Sequence, residues 1–309
     1  MKTCIVTGGA GFIGSHIVDE LLKRGYRVAV IDNLSTGKRG NVNPAAAFFK
    51  LDIQSSQVGK VFAKFKPQSV FHFAAQIDVR KSVADPIEDA KTNIIGSLNI
   101  LEQCRKQNVK KIVFASSGGT IYGDADRVPT SETYPGSPLS PYGIAKYTVE
   151  HYLWYYWNVC AMPFVSLRLA NIYGPRQNSK GEAGVVAIFT DAMLAKKQPV
   201  ISGNGKQTRD FVFVADVVRA AMKAGASKRI GVYNVGTAKE TNINEIFSLL
   251  KHLTKSGAKK AYGPAKKGEQ ARSCLSYGKI QKEMGWKPSY GLEKGLQETV
   301  EWFMHENHS

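Results

Sequence analysis

The sequence predicts an α/β fold: a doubly wound parallel sheet with a smaller C-terminal α/β substrate domain. Three observations carry this. Short apolar runs of strand length alternate with helical periodicity over the first 170 residues. The first run ends in a glycine-rich loop that opens a helix, and glycines and polar residues break the pattern after Asn171. Strands that alternate with helices imply parallel pairing with both sheet faces covered.

Residues 3–7 form the first apolar run, and residues 12–23 follow with Ile13, Ile17, Leu21 and Leu22 on one helical face. Further strands are predicted at 27–31, 48–51, 69–73, 111–115 and 164–169. Beyond the polar stretch 174–184 come a helix over 185–197, a strand over 210–214 and a helix over 217–224. The β-like segment 231–236 is expected to return to the main sheet, and helices are expected at 244–254, 277–284 and 292–304. The chain therefore divides into residues 1–170 plus a returning segment near 210–236, and a second domain from 171–209 and 237–309.

Composition narrows the function classes. The net charge of +17 is compatible with anionic ligands, but the bases are scattered in pairs such as Lys110-Lys111 and Lys196-Lys197. No stretch interleaves many bases with aromatics, so nucleic acid is not the expected partner. Cys4, Cys104, Cys160 and Cys274 form no Cys-x-x-Cys pair and no His cluster accompanies them, which reads as reduced cysteine and no metal site. No secretory leader pattern and no bilayer-length apolar run is visible, so a cytoplasmic location away from membranes is expected.

The loop Gly8-Gly9-Ala10-Gly11-Phe12-Ile13-Gly14 holds glycines at 8, 11 and 14 between a strand and a helix. Glycine allows the tight turn and the close approach of a pyrophosphate, and the helix start offers free N–H groups. Asp32 ends the second strand at the distance expected of a ribose-binding acid. An acid there repels a 2′-phosphate, so a Rossmann-type domain binding NAD rather than NADP is predicted, with Lys38 and Arg39 close by. Asp52 is either an acceptor for the adenine amino group or a helix N-cap. Phe73, Ala74 and Ala75 end the fourth strand with room for a cofactor, whereas His72 reads as a hydrogen-bonded structural residue.

Tyr142 and Lys146 lie four apart on a predicted helix, hence on one face, with Pro141 suited to its start. A neighbouring ammonium and a positive nicotinamide favour the phenolate, so Tyr142 is a candidate general base near neutral pH. The pair follows the serine-rich strand end Ser116-Ser117-Gly118-Gly119. The aromatic run of Tyr152, Trp154, Tyr155, Tyr156 and Trp157 reads as packing, and Trp286 as a local packing feature.

Together, residues 7–14, Asp32-Asn33-Leu34-Ser35-Thr36-Gly37, His72–Gln76, Ser116–Gly123, Tyr142–Lys146, residues 167–175 and Arg209-Asp210-Phe211 resemble the extended short-chain dehydrogenase/reductase family over nearly the whole chain. Within it the likeness is greatest to nucleotide-sugar 4-epimerases of the UDP-glucose or UDP-N-acetylglucosamine type. The resemblance implies tightly held NAD, oxidation of the sugar at C4 and return of hydride to the opposite face. It implies NAD contacts at Gly8, Gly11, Phe12, Ile13, Gly14, Asp32, Asn33, Ser35, Thr36, Gly37, Asp52, Ile53, Phe73, Ala74, Ala75, Gln76, Asn93, Ser116, Tyr142 and Lys146. It implies UDP-sugar contacts at Ser117, Tyr142, Asn171, Val185, Val200, Arg209, Lys266, Glu269 and Ser273, and a homodimer built on two helices per subunit.

The sequence also departs from the family pattern. Many members carry Ser or Thr where this chain has Gly118; Ser117 and Thr120 are the remaining candidates to assist Tyr142, with Ser117 favoured. Dehydratases carry an Asp-Glu pair where Gly119-Thr120 stand here, and decarboxylases a Glu, which argues for epimerisation. Ser273 falls at the sugar-pocket gate, and its small side chain predicts room for an N-acetyl group. The alternatives are another nucleotide-sugar enzyme of the family (a UDP-glucuronate 4-epimerase, a dehydratase or a GDP-sugar epimerase) or a non-catalytic NAD-binding sensor, which would be expected to lose Tyr142 or Lys146.

Overall fold

The computed structural model describes residues 2–179, 184–265 and 270–306. Its main sheet contains β1 (Thr3–Thr7), β2 (Arg27–Asp32), β3 (Ala47–Lys50), β4 (Ser69–His72), β5 (Lys111–Ser117), β6 (Phe164–Leu169) and the strand Gly231–Val235. Their spatial order is Gly231–Val235, β6, β5, β4, β1, β2, β3, and every neighbouring pair is parallel. The Gly231–Val235 strand thus returns across the chain to pair with β6, Val235 lying opposite Leu169.

Alternation along the strands builds two cores. In β1, Cys4 and Val6 join Val30, Ile17 and Leu21 on one face, while Ile5 joins Ile31, Phe62 and Phe114 on the other. Helices Phe12–Lys23 and Val214–Ala226 cover the first face, and Val58–Phe65, Gly96–Lys106 and Pro141–Cys160 cover the second. Both faces are buried, so these strands read as unbroken apolar runs rather than as in-out alternation. A third core joins helices Val185–Leu194, Ile243–Leu253 and Leu292–Glu306 around Phe189, Phe247 and Leu296.

Several boundaries differ from expectation by one or two residues, and two helix ends by three. The strand expected over 210–214 is Phe211–Phe213, and Val214 already opens the helix Val214–Ala226. Asp216 in the first turn and the inward row Val217, Ala220, Ala221 and Ala224 extend that helix in both directions; a short apolar run alone does not separate strand from helix. The helix over 185–197 ends at Leu194 because Lys196 takes a left-handed φ of 56°. Trp286 is fully buried and donates through Nε1 to the Asp216 carbonyl at 3.0 Å, a packing role as expected. All four cysteines are free. Among the described residues, no helix is long and apolar enough to cross a membrane.

Candidate active site

The sheet order reverses between β1 and β4, and their carboxyl ends open the crevice where ligands bind in such folds. Gly8 leaves β1 with φ +72°, and a Cβ there would stand 2.6 Å from the Ala74 nitrogen. A Cβ on Gly14 would strike the Gly8 carbonyl oxygen. Gly11 caps the helix Phe12–Lys23 with extended backbone and no side-chain bond. The first-turn amides at Phe12, Ile13 and Gly14 thus lack intrahelical acceptors and no capping side chain competes for them.

Asp32 is buried and accepts from the Ala10 amide at 2.9 Å and the Leu34 amide at 2.8 Å, one on each oxygen. A carboxylate has about four acceptor positions, so two remain for ribose hydroxyls. The loop carrying Ser35, Thr36 and Gly37 folds back over Ala10, whose carbonyl accepts from Lys38 N at 3.0 Å and Asn41 Nδ2 at 3.1 Å. Asp52 is engaged on both oxygens, by Gln54 N and by Asn33 Nδ2, each at 2.8 Å. It therefore closes a local turn and ties the two loops together. Ile53 is buried beneath it against Gly96.

At the end of β4, His72 lies between two hydroxyls, with Nδ1 2.6 Å from Thr7 Oγ1 and Nε2 2.9 Å from Ser97 Oγ. Ser97 donates to the Asn93 carbonyl, so it accepts from Nε2–H, and Thr7 donates to Nδ1. One neutral tautomer satisfies the set, and burial, aided by the Lys146 charge, pushes His72 down to about 3. This is a structural histidine that holds Phe73, Ala74 and Ala75 in place. Asn93 clamps the next residue: Gln76 N donates to its Oδ1, and its Nδ2 donates to the Gln76 carbonyl, both at 2.9 Å. Asn93 lies in a π-turn, Lys91–Ile95, within a helical run from Pro86 to Lys106.

Ser140 accepts from Gly143 N at 3.1 Å and Pro141 stands in the first turn, so the helix Pro141–Cys160 starts where the sequence placed it. Tyr142 and Lys146 share one face, the ammonium lying 5.7 Å from the phenol ring centroid. Lys146 is buried, donates to the Ala115 carbonyl at 2.9 Å and lies over the Phe114 ring. Burial pushes it down to about 8, against the charges of Asp89 and Glu150. Tyr142 is raised above an ordinary phenol, first by burial and then by the Asp89 charge, while a hydrogen bond with Ser117 lowers it. In the chain itself burial sets the direction of the shift.

Ser117 therefore meets Tyr142, whereas among the described residues the Thr120 hydroxyl is buried without a hydrogen-bond partner, as is that of Ser116. The place of a side chain on Gly118 is filled: a Cβ there would lie 2.5 Å from Leu275 Cδ1 and 2.9 Å from Cδ2. Gly118→Ser is expected to destabilise the fold by about 1–3 kcal/mol through overpacking. In denaturant titrations, Gly118→Ser combined with Leu275→Ala should lose less than the sum of the two single changes.

Strand register places several of the other residues. Asn171 opens the strand Asn171–Tyr173, which pairs in parallel with Phe211–Phe213. Arg209 is the register partner of both Thr241 and Ser273 in a three-stranded sheet. Ser273 in turn faces the end of β5, with its Oγ 3.9 Å from the position of a Gly119 Cβ. Val185 begins the helix Val185–Leu194 and is partly buried, while Val200 lies in the strand Val200–Ser202 and is exposed. Lys266 and Glu269 lie outside the described residues.

Residues 4–236 match the model of the NAD dependent epimerase/dehydratase family. The chain belongs to this family. A relative, UDP-glucose 4-epimerase of Mycolicibacterium smegmatis, is 41% identical over 99% of this chain and 100% of its own. Among solved structures, UDP-glucose 4-epimerase of Thermotoga maritima with UDP-glucose is similar at 47% identity and a TM-score of 0.97, over 99% of both chains. UDP-N-acetylglucosamine 4-epimerase of Methanobrevibacter ruminantium, in complex with UDP-N-acetylmuramic acid, is similar at 34% identity and a TM-score of 0.94, over 99% of both chains.

For this epimerase/dehydratase family member, NAD fits what the chain offers. The cradle around Gly8, Gly11 and Gly14 is one that side chains would fill, and the amides at its helix start are uncapped. Asp32 retains acceptor capacity, and the buried Ser116 hydroxyl awaits a partner. Sequence reasoning missed two residues of the site. Asp89, buried and felt by both Tyr142 and Lys146, looks in sequence like an ordinary acid near a helix start. Leu275, which occupies the space at Gly118, is 157 positions away from it in the chain. The polar spacing Asp89, Asn93, Ser97 on one helix was the available signal for the first; nothing in the sequence marks the second.

Proposed function

We infer that this chain is an NAD-dependent UDP-hexose 4-epimerase that interconverts UDP-glucose and UDP-galactose. The observation that carries the reading is the Tyr142–Lys146 face, with Ser117 on the phenol, beside an uncapped glycine loop and without acids at 119 and 120. NAD, when bound, supplies a reversible hydride acceptor. Tyr142, as phenolate, takes the proton of the sugar 4-hydroxyl while the C4–H bond breaks and C4=O forms. Ser117 steadies the phenol oxygen during that transfer. After the 4-keto sugar turns over, Tyr142 returns the proton to the C4 oxygen as hydride returns to the opposite face. Oxidation and reduction balance within one cycle, so no external redox partner is needed. Lys146 contributes a positive charge beneath Tyr142, and Arg209 and Asn171 suit a diphosphate.

Ser273 leaves a small side chain toward Gly119, and the pocket takes N-acetylhexosamines as well as hexoses. The helical run from Pro86 and the helix Pro141–Cys160 expose Ile87, Ile95, Ile144, Tyr152 and Tyr155, which suit a homodimer interface. The test is turnover of UDP-galactose and UDP-N-acetylgalactosamine by purified protein without added NAD. Conversion of both to their 4-epimers is the expected result. Conversion of UDP-galactose alone removes the small-gate argument, and no conversion of either, even with NAD added, defeats the reading.

A further inference from the structure

The helical run from Pro86 to Lys106 carries a buried polar stripe, Asp89, Asn93 and Ser97, each four residues from the next. Ser97 and Asn93 serve the end of β4. Asp89 is only half used by that framework. Its Oδ1 accepts from Gln76 Nε2 at 2.9 Å and from Asn93 Nδ2 at 2.8 Å, while Oδ2 is buried without a hydrogen-bond partner among the described residues. A dry, unpaired carboxylate oxygen is costly, so a charge kept there needs an opposite charge within reach. The helix Pro86–Ala90 packs directly on the helix Pro141–Cys160, whose one lysine or arginine is Lys146, bonded to the Ala115 carbonyl of β5.

Resting on the epimerase reading above, we propose that Asp89 is a positioning residue: its carboxylate, clamped by Gln76 and Asn93, is the fixed charge that keeps a proton on buried Lys146 and sets where Tyr142 titrates. The helical segments packed on Pro141–Cys160 bring the exposed Arg80, Lys81, Glu88 and Lys91, a Glu102 held by Arg105 and Tyr156, and the buried Asp89. From β5 come the Ala115 carbonyl and the Phe114 ring, and from β4 comes His72, neutral within its hydroxyl pair. On its own helix stand Tyr142 and Glu150, but Glu150 is bound by Arg168 of β6 through three contacts of 2.6–3.2 Å and by Ser166. Among the opposing charges, Asp89 supports the Lys146 ammonium more than Glu150 does, and it also raises Tyr142. Burial raises Asp89 itself, while Gln76, Asn93 and Lys146 hold it down.

A negative charge favours the protonated form of both neighbours, so its removal lets both lose their protons at lower pH. A purely structural residue would move neither titration. The test is a 13C NMR titration of the Lys146 side chain in the full chain, assigned by its loss in Lys146→Met. Asp89→Asn should lower the Lys146 midpoint by about one pH unit, and Asp89→Glu should leave it in place. With the active enzyme, both limbs of the kcat/KM profile should move to lower pH together. An unmoved Lys146 midpoint in Asp89→Asn overturns the proposal. If the parent does not epimerise, the functional reading fails, while the Lys146 titration still decides the role of Asp89. Asp89→Ser carries the same expectation should Asp89→Asn not fold, and failure of both neutral variants to fold would make Asp89 a folding residue and overturn the proposal.

Discussion

Tyr142→Phe is expected to lower kcat by about 10²–10⁴-fold, the range for loss of a positioned general acid–base, while NAD and nucleotide-sugar binding persist. The substitution removes one oxygen and leaves the ring where it packs, close to the Lys146 ammonium. Ser117 loses its partner, but the glycine cradle, Asp32 and the Asn93–Gln76 clamp are untouched. Burial raises the phenol, so the parent's activity should fall as pH drops and Tyr142 holds its proton. Steady-state turnover of UDP-galactose, beside the NAD content of the purified protein, reads both quantities. Turnover near that of the parent would remove Tyr142 from the chemistry. Loss of bound NAD together with activity would make its role one of cofactor binding.

Glu150→Ala is expected to destabilise the protein by about 3–5 kcal/mol, the cost of stripping one partner from a buried ion pair. Glu150 and Arg168 have side chains only 2% and 6% exposed, and both carboxylate oxygens engage the guanidinium, the shortest contact being 2.6 Å. Ser166 adds a bond to Oε1 at 3.0 Å, and the guanidinium lies 4.9 Å from the Tyr122 ring centroid. Without Glu150, Arg168 remains charged and enclosed with no carboxylate. Replacing both by apolar residues of similar volume should recover most of the loss, because the desolvation of two ions is removed with their attraction. Denaturant titrations of the single and double variants measure this. A single variant within about 1 kcal/mol of the parent would mean that water reaches Arg168.

The pair also joins stability to the site. Glu150 lies on the helix that carries Tyr142 and Lys146, and Arg168 lies on β6 beside the strand that carries Ser117. The bridge thus fixes the helix against the strand end where proton transfer is proposed.

Much of this architecture is written locally. The helix Phe12–Lys23 and the strand Phe164–Leu169 have the bounds that periodicity predicts, because each is a continuous segment with its own apolar pattern. The glycines at 8, 11 and 14 and the acid at 32 are legible for a related reason: a turn, a helix start and a strand end follow one another in the chain. The spacing of Tyr142 and Lys146 needs only the helix period. These features determined the fold class, the family and the core of the proposed chemistry.

Tertiary structure alone decided the rest. Asp89 and Tyr142 are 53 positions apart, and no periodicity links an acid in one helix to a phenol in another. Leu275 fills the space at Gly118 because an isolated pairing of Thr130 with Leu275 brings the C-terminal segment across the end of β5. Arg209 and Ser273 become neighbours through strand register. Even the direction of the Tyr142 shift required the packed site. A sequence shows that an ammonium is nearby, whereas the desolvation that raises the phenol is set by how the elements close over it. Local sequence encodes dihedral preference and period. Charge balance, burial and side-chain volume are properties of segments distant in the chain, and they exist only once the chain is folded.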